Sequence, residues 1–110
     1  NDLIYSLFIS VPDAILGCDA EIPSVDGKLR IKIEAGTQSG KILRLRSKGL
    51  PDVNGYGSGD LLVYIQVWTP KKVDRQEREA LEKMRSSDNF KPAPNKDDKN
   101  FFDRMKKMFS

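Results

Sequence analysis

Residues 37–60 read TQSGKILRLRSKGLPDVNGYGSGD, and their pattern decides the fold class. A polar turn, Thr37-Gln38-Ser39-Gly40, runs into Lys41-Ile42-Leu43-Arg44-Leu45-Arg46. There Leu43 and Leu45 alternate with Arg44 and Arg46, as in a strand with one dry face and one wet face. Lys48-Gly49-Leu50-Pro51 ends that strand, since Pro51 has no N–H for a ladder and Gly49 permits positive φ. A glycine-spaced loop follows, Gly55-Tyr56-Gly57-Ser58-Gly59, and Asp60 leads into the apolar run Leu61-Leu62-Val63-Tyr64-Ile65-Gln66-Val67. The expected order is strand, ordered loop, strand.

Upstream, residues 3–11 place Leu3, Tyr5, Leu7, Ile9 and Val11 on one face, while Ile4 and Phe8 share the other with Ser6 and Ser10. Pro12 and Gly17 frame a single helical turn whose Ile15 and Leu16 are expected to plug the core; a place in an exposed peptide groove is the other reading. Residues 21–25 read as a short edge strand, because Pro23 is tolerated there, and Asp26-Gly27 signals a type I′ hairpin. In the next strand Leu29, Ile31 and Ile33 point inward and Lys28, Arg30 and Lys32 outward. Residues 61–68 are apolar on both faces and belong in the middle of a sheet. Trp68, at the exit of that strand, is expected to pack in the core or at a domain edge, with exposure at a partner surface as the alternative.

Strand after strand with short turns predicts a mainly β domain over residues 1–70, a small β-sandwich or partly open barrel. Residues 71–87 change character. Asp74 and Glu77 have the spacing of a capping box, Arg75–Glu79, Arg78–Glu82 and Glu79–Lys83 are i,i+4 charge pairs, and Ala80, Leu81 and Met84 make a thin apolar stripe. So short a helix is marginal in water, so its stripe needs a docking surface. Residues 88–110 read as an extended linker around Pro92 and Pro94, then an amphipathic helical tail. On the tail Phe101, Phe102, Met105, Met108 and Phe109 share one face.

The spaced motifs Asp26-Gly27-Lys28, Glu34-Ala35-Gly36, the stretch 37–60, Asp60-Leu61-Leu62-Val63 and Thr69-Pro70 together resemble the second carboxy-terminal β-domain of a DnaJ-type co-chaperone, over roughly residues 3–84. The resemblance implies a dimeric co-chaperone that binds unfolded polypeptide and delivers it to a DnaK-type ATPase chaperone. In that family ATPase stimulation belongs to a J domain with a His-Pro-Asp loop, and zinc to an upstream Cys-rich module; neither motif occurs here, so no cofactor is expected in this chain. The family dimerises through the helix after this β-domain, which implies a dimer role for Leu81 and Met84. The unburied area of the stripe and tail extends the expected dimer surface to Ala80, Phe101, Phe102, Met105, Met108 and Phe109. Two positions depart from the family's pattern: Trp68, where relatives often have a small or acidic residue, and Glu34, where they often have Pro. The Phe/Met-rich tail lies outside that pattern too.

Composition narrows the function further. A chain of 110 residues buries one modest core, and it enters an apolar stretch directly after Asn1-Asp2, which predicts a piece of a longer protein. No residue is histidine and Cys18 is the one cysteine, which leaves no usual zinc site, no disulfide within the chain and no ordinary general base. Gly55-x-Gly57-x-Gly59 and Ser39-Gly40-Lys41 lack the following helix that a phosphate loop needs. A non-enzyme is expected, in the cytoplasm, with neither nucleic acid nor membrane as partner. The competing expectation is a β interaction module whose basic face, Arg30, Lys32, Arg44 and Arg46, binds nucleic acid or ribosome.

Overall fold

Alternation along the first strand sets the layering. In β1 (Leu3–Ser10) the odd residues turn inward and Ile9 is buried, while Ile4, Ser6, Phe8 and Ser10 face out. The computed structural model describes residues 1–52, 55, 57–94 and 106. It divides into two units, Asn1–Pro70 and Lys71–Ser110.

The first unit holds two sheets that do not close into a barrel. One has the order β1-β5-β4, with β4 (Ile42–Leu45) antiparallel to β5 (Leu61–Trp68) and β1 parallel to it. The other is a hairpin of β2 (Cys18–Ser24) and β3 (Gly27–Ile33). β5 is the central strand, and Leu61, Val63 and Ile65 on it are fully enclosed. With Ile9, Ala14, Ile22, Ile31 and Ile33 they form the core, walled by partly buried residues including Leu3, Leu7, Leu43 and Leu45.

Four local expectations change. Val11 does not extend β1; it opens the six-residue helix α1 (Val11–Leu16), which Ser10 caps by accepting the Asp13 amide. The core plug on α1 is the small Ala14, and Ile15 and Leu16 stand exposed, because so short a helix turns only one side inward. The hairpin loop is Val25-Asp26 and not Asp26-Gly27. Ser24 pairs with Gly27, positive φ falls on Gly27 and on neither loop residue, and the turn is not type I′. That register sets Cys18, Ala20 and Ile22 opposite Ile33, Ile31 and Leu29, apolar against apolar, which is what fixes a strand pair with one buried face. Finally, the left-handed residue after β4 is Ser47, at φ 62, and not Gly49.

Gly49 and Gly59 serve a close approach of three backbone segments. A Cβ at Gly49 would lie 2.5 Å from the Asp60 carbonyl and 2.7 Å from that of Asn1, and one at Gly59 would overlap Asn1. The segments are laced together: the Leu50 amide donates to the Asn1 carbonyl at 2.8 Å, and the Gly49 and Gly59 amides donate to Gly59 and Leu50 at 2.9 Å each.

In the second unit, α2 (Arg75–Arg85) starts with a closed capping box, and no residue of it is buried. The Glu77 amide donates to Asp74 Oδ1 and the Asp74 amide to Glu77 Oε1, each at 2.8 Å. Of the three i,i+4 charge pairs, Arg75–Glu79 closes at 3.5 Å. A 3-10 turn at Asp88–Phe90 follows.

Candidate functional site

Among the described residues no group of three or more His, Cys, Asp or Glu is gathered so as to hold a metal ion. Cys18 lines a shallow groove of about 370 Å³ between residues 16–19 and 32–35. Partial burial pushes its thiol above the ordinary value, and the Asp13 and Asp19 carboxylates add to the shift. A thiol so placed stays protonated near neutral pH and is a poor nucleophile. The glycine-spaced loop runs into β5, not into a helix; its described part is tied by a Pro51–Ser58 bridge and by the Asp52 amide donating to Gly57 at 3.0 Å.

The basic residues are dispersed and matched. Arg30 and Lys32 lie on β3, where Glu21 and Asp19 of β2 stand directly opposite, and Arg30 reaches Asp19 Oδ2 at 3.5 Å. Such cross-strand opposite charges attract weakly and cancel the local field. Arg44 is on β4, in the other sheet, and its Nη1 donates to Asp60 Oδ2 at 2.9 Å.

Asp60 joins more of the fold than its sequence context suggests. Its Oδ1 accepts the Ser47 amide at 3.0 Å, its own amide donates to Asp2 Oδ1 at 2.7 Å, and its carbonyl accepts the Leu3 amide at 2.9 Å. The Ser47 hydrogen bond, helped by Arg44 and Arg46 and opposed by desolvation, holds the Asp60 carboxyl below its ordinary 3.8. Sequence reading passes over this cluster, because its members sit 13 to 58 positions apart.

What remains is apolar surface. On the outer face of the three-stranded sheet Ile4 is 66% exposed, Phe8 57% and Trp68 52%. Phe8 and Trp68 meet edge to face, with ring centroids 6.0 Å apart and planes at 81°. The core expected around Trp68 is therefore absent: the residue sits on the outward parity of β5, opposite Ser10. On α2, Ala80, Leu81 and Met84 are all exposed, Leu81 at 49% and Met84 at 41%. Phe101, Phe102, Met105, Met108 and Phe109 lie outside the described residues. No helix of the described residues is long and apolar enough to cross a membrane.

Comparison with known proteins points to one family. The profile of the DnaJ C terminal domain matches residues 1–70. The chain is similar to the chaperone protein DnaJ of Bacteroides thetaiotaomicron, 54% identical over 109 residues, which is 99% of this chain and 27% of that protein. It is 58% identical over 92 residues to that of Porphyromonas gingivalis, covering 84% of this chain and 24% of the relative. With that of Salinibacter ruber it shares 42% over 111 residues, 99% of this chain and 29% of the relative. The chain thus spans about a quarter of the length of these relatives.

Proposed function

Because the chain belongs to the DnaJ C terminal domain family, we propose that it is a non-catalytic part of a DnaJ-type co-chaperone, one that pairs with a second copy, holds unfolded polypeptide, and works in the cytoplasm with a DnaK-type chaperone. One observation carries the pairing: α2 is firmly capped yet leaves Leu81 and Met84 in water. A helix of 11 residues gains little from its own propensity and is stabilised chiefly by covering an apolar face. Closed two-fold pairing is the commonest way to cover one. In this reading Ala80 and the tail residues Phe101, Phe102, Met105, Met108 and Phe109 enlarge the same surface.

Holding of polypeptide is supported by the apolar outer face at Ile4, Phe8 and Trp68, which is open to a ligand without formal charge. The pairing of Arg30 and Arg44 with carboxylates argues against a phosphate-binding face. Sedimentation equilibrium tests the pairing: a dimer is expected, and Leu81→Asp with Met84→Asp should turn it into a monomer. A monomer at all accessible concentrations, or a dimer indifferent to both changes, overturns it. Suppression of aggregation of a chemically unfolded model protein, insensitive to salt, tests the holding function.

A further inference from the structure

The turn between β2 and β3 is the one place in the chain where an aspartate precedes a glycine, Asp26-Gly27. Asp26 is the second residue of the two-residue loop, and it stands exposed with Val25 and Gly27 on either side. Among the described residues no hydrogen bond or ion pair holds its carboxylate, so the side chain is free to rotate about Cα–Cβ. Nothing lies within 4 Å of where a Cβ on Gly27 would stand, and Gly27 takes a φ of 126°. The Ser24–Gly27 pair is the last rung of the hairpin. A rung at a loop end opens at least cost, and its opening releases the Gly27 nitrogen.

The other aspartates lack this combination. Asp19 and Asp60 are held by arginines, and Asp74 accepts the Glu77 amide. Every aspartate except Asp26 is followed by a residue with a side chain, which crowds the nitrogen that would have to react.

We propose that Asp26 is a self-modification site, at which the folded chain converts slowly to the β-linked, isoaspartyl form and so loses the register of β2 against β3. The Gly27 nitrogen bonds to Asp26 Cγ, and the carboxyl hydroxyl leaves with the amide proton as water, closing a five-membered succinimide. Water then adds to the ring carbonyl that had been the Asp26 main-chain carbonyl, and that bond to nitrogen breaks. The backbone now runs through Cβ and Cγ, the old carbonyl is a free carboxylate, and the mass is unchanged. One extra methylene lies in a two-residue loop whose length sets Ile22 opposite Leu29 and Ala20 opposite Ile31. Register is what keeps Ile22, Ile31 and Ile33 on the buried side, so the converted hairpin fits the core less well.

The test is prolonged incubation of the chain at neutral pH and physiological temperature, folded and in urea, followed by trypsin and mass spectrometry. Cleavage after Lys28 releases residues 1–28. This peptide should split into two species of equal mass, the new one with the fragment ions of a β-linked bond at Asp26. A carboxyl methyltransferase specific for isoaspartate should transfer a methyl group from S-adenosylmethionine to it. The folded chain should form it at a rate comparable to the unfolded one, and Asp26→Glu, whose ring would need a sixth atom, should lose it. The aged parent should melt below the fresh one, and aged Asp26→Glu should not. Deamidation at Asn54-Gly55 is read separately, since it changes the mass of the peptide covering residues 49–71. Formation in urea but not in the folded chain overturns the proposal, by showing that the turn protects Asp26. A β-linked bond at Asp2, Asp13 or Asp19 in place of Asp26, or an unchanged melt of the converted chain, overturns it too. The comparison of folded with unfolded parent stands even where Asp26→Glu fails to fold.

Discussion

Asp2, at the head of β1, accepts the amide hydrogen of Asp60, just before β5, across 2.7 Å and 58 positions of sequence. This bond, with Leu3 to Asp60 beside it, sets the start of the parallel β1–β5 pair on which the larger sheet is built.

Stability should depend on Asp60 in a pH-dependent way. Its carboxyl is held below 3.8 in the folded chain, chiefly by the Ser47 amide, so the folded state favours the ionised form. The contribution is fully present above the ordinary carboxylate range and is lost as pH falls through the depressed folded value. Asp60→Asn should lower the urea midpoint at neutral pH, and the gap from the parent should close in acid. A gap unchanged down to the acid transition would rule this out.

Gly59→Ala should be more damaging than Gly57→Ala. The first places a methyl group onto the Asn1 backbone, whereas the second meets only open space and a φ of 73°. Overpacking costs about 1–3 kcal/mol, at the upper end where a Cβ meets backbone that cannot give way, and a left-handed alanine about 1–2 kcal/mol. Thermal melts of the two variants should keep that order, and the reverse order would contradict the three-segment junction.

The two faces of the larger sheet should respond differently to truncation. Ile65 is 1% exposed and central, so Ile65→Ala should cost about 2–5 kcal/mol. Phe8→Ala, on the outer face, should cost far less and act on peptide binding instead. Chemical denaturation of both variants checks this; comparable losses would mean that the outer face is covered.

Asp74→Ala opens the capping box and should cost about 1 kcal/mol of helix stability. If α2 is the pairing element, dimer association should weaken by a similar free energy, with the β domain's own melt unchanged. Far-UV circular dichroism and sedimentation on the same samples measure both. A lost helix with unaltered dimerisation would separate α2 from pairing.

Single-turnover ATP hydrolysis by a DnaK-type chaperone should not accelerate when this chain is added alone. The chain has no histidine, and hence no His-Pro-Asp loop. Acceleration would place a stimulating surface where none is expected.

Short-range physics was legible in the residues themselves. The inward sets Leu29, Ile31, Ile33 and Leu43, Leu45 follow from period two, and the Asp74–Glu77 box from a spacing of three; each depends on neighbours within one turn or one strand. The central place of β5 in its sheet was legible too, from its long apolar run, although its outer face is only partly covered. Only the tertiary structure decided which strands meet. The β1–β5 pairing joins Leu3 to Leu61, and no local pattern encodes a partner 58 positions away. That pairing leaves β1 at an edge, turns Trp68 to the outer face, lets Ala14 displace Ile15 and Leu16 from the core, and gathers Asp2, Ser47 and Asp60 into one cluster. Local sequence fixes which side of a strand is dry; what lies against that side is settled by burial summed over the whole chain, and that sum exists only once the chain is folded.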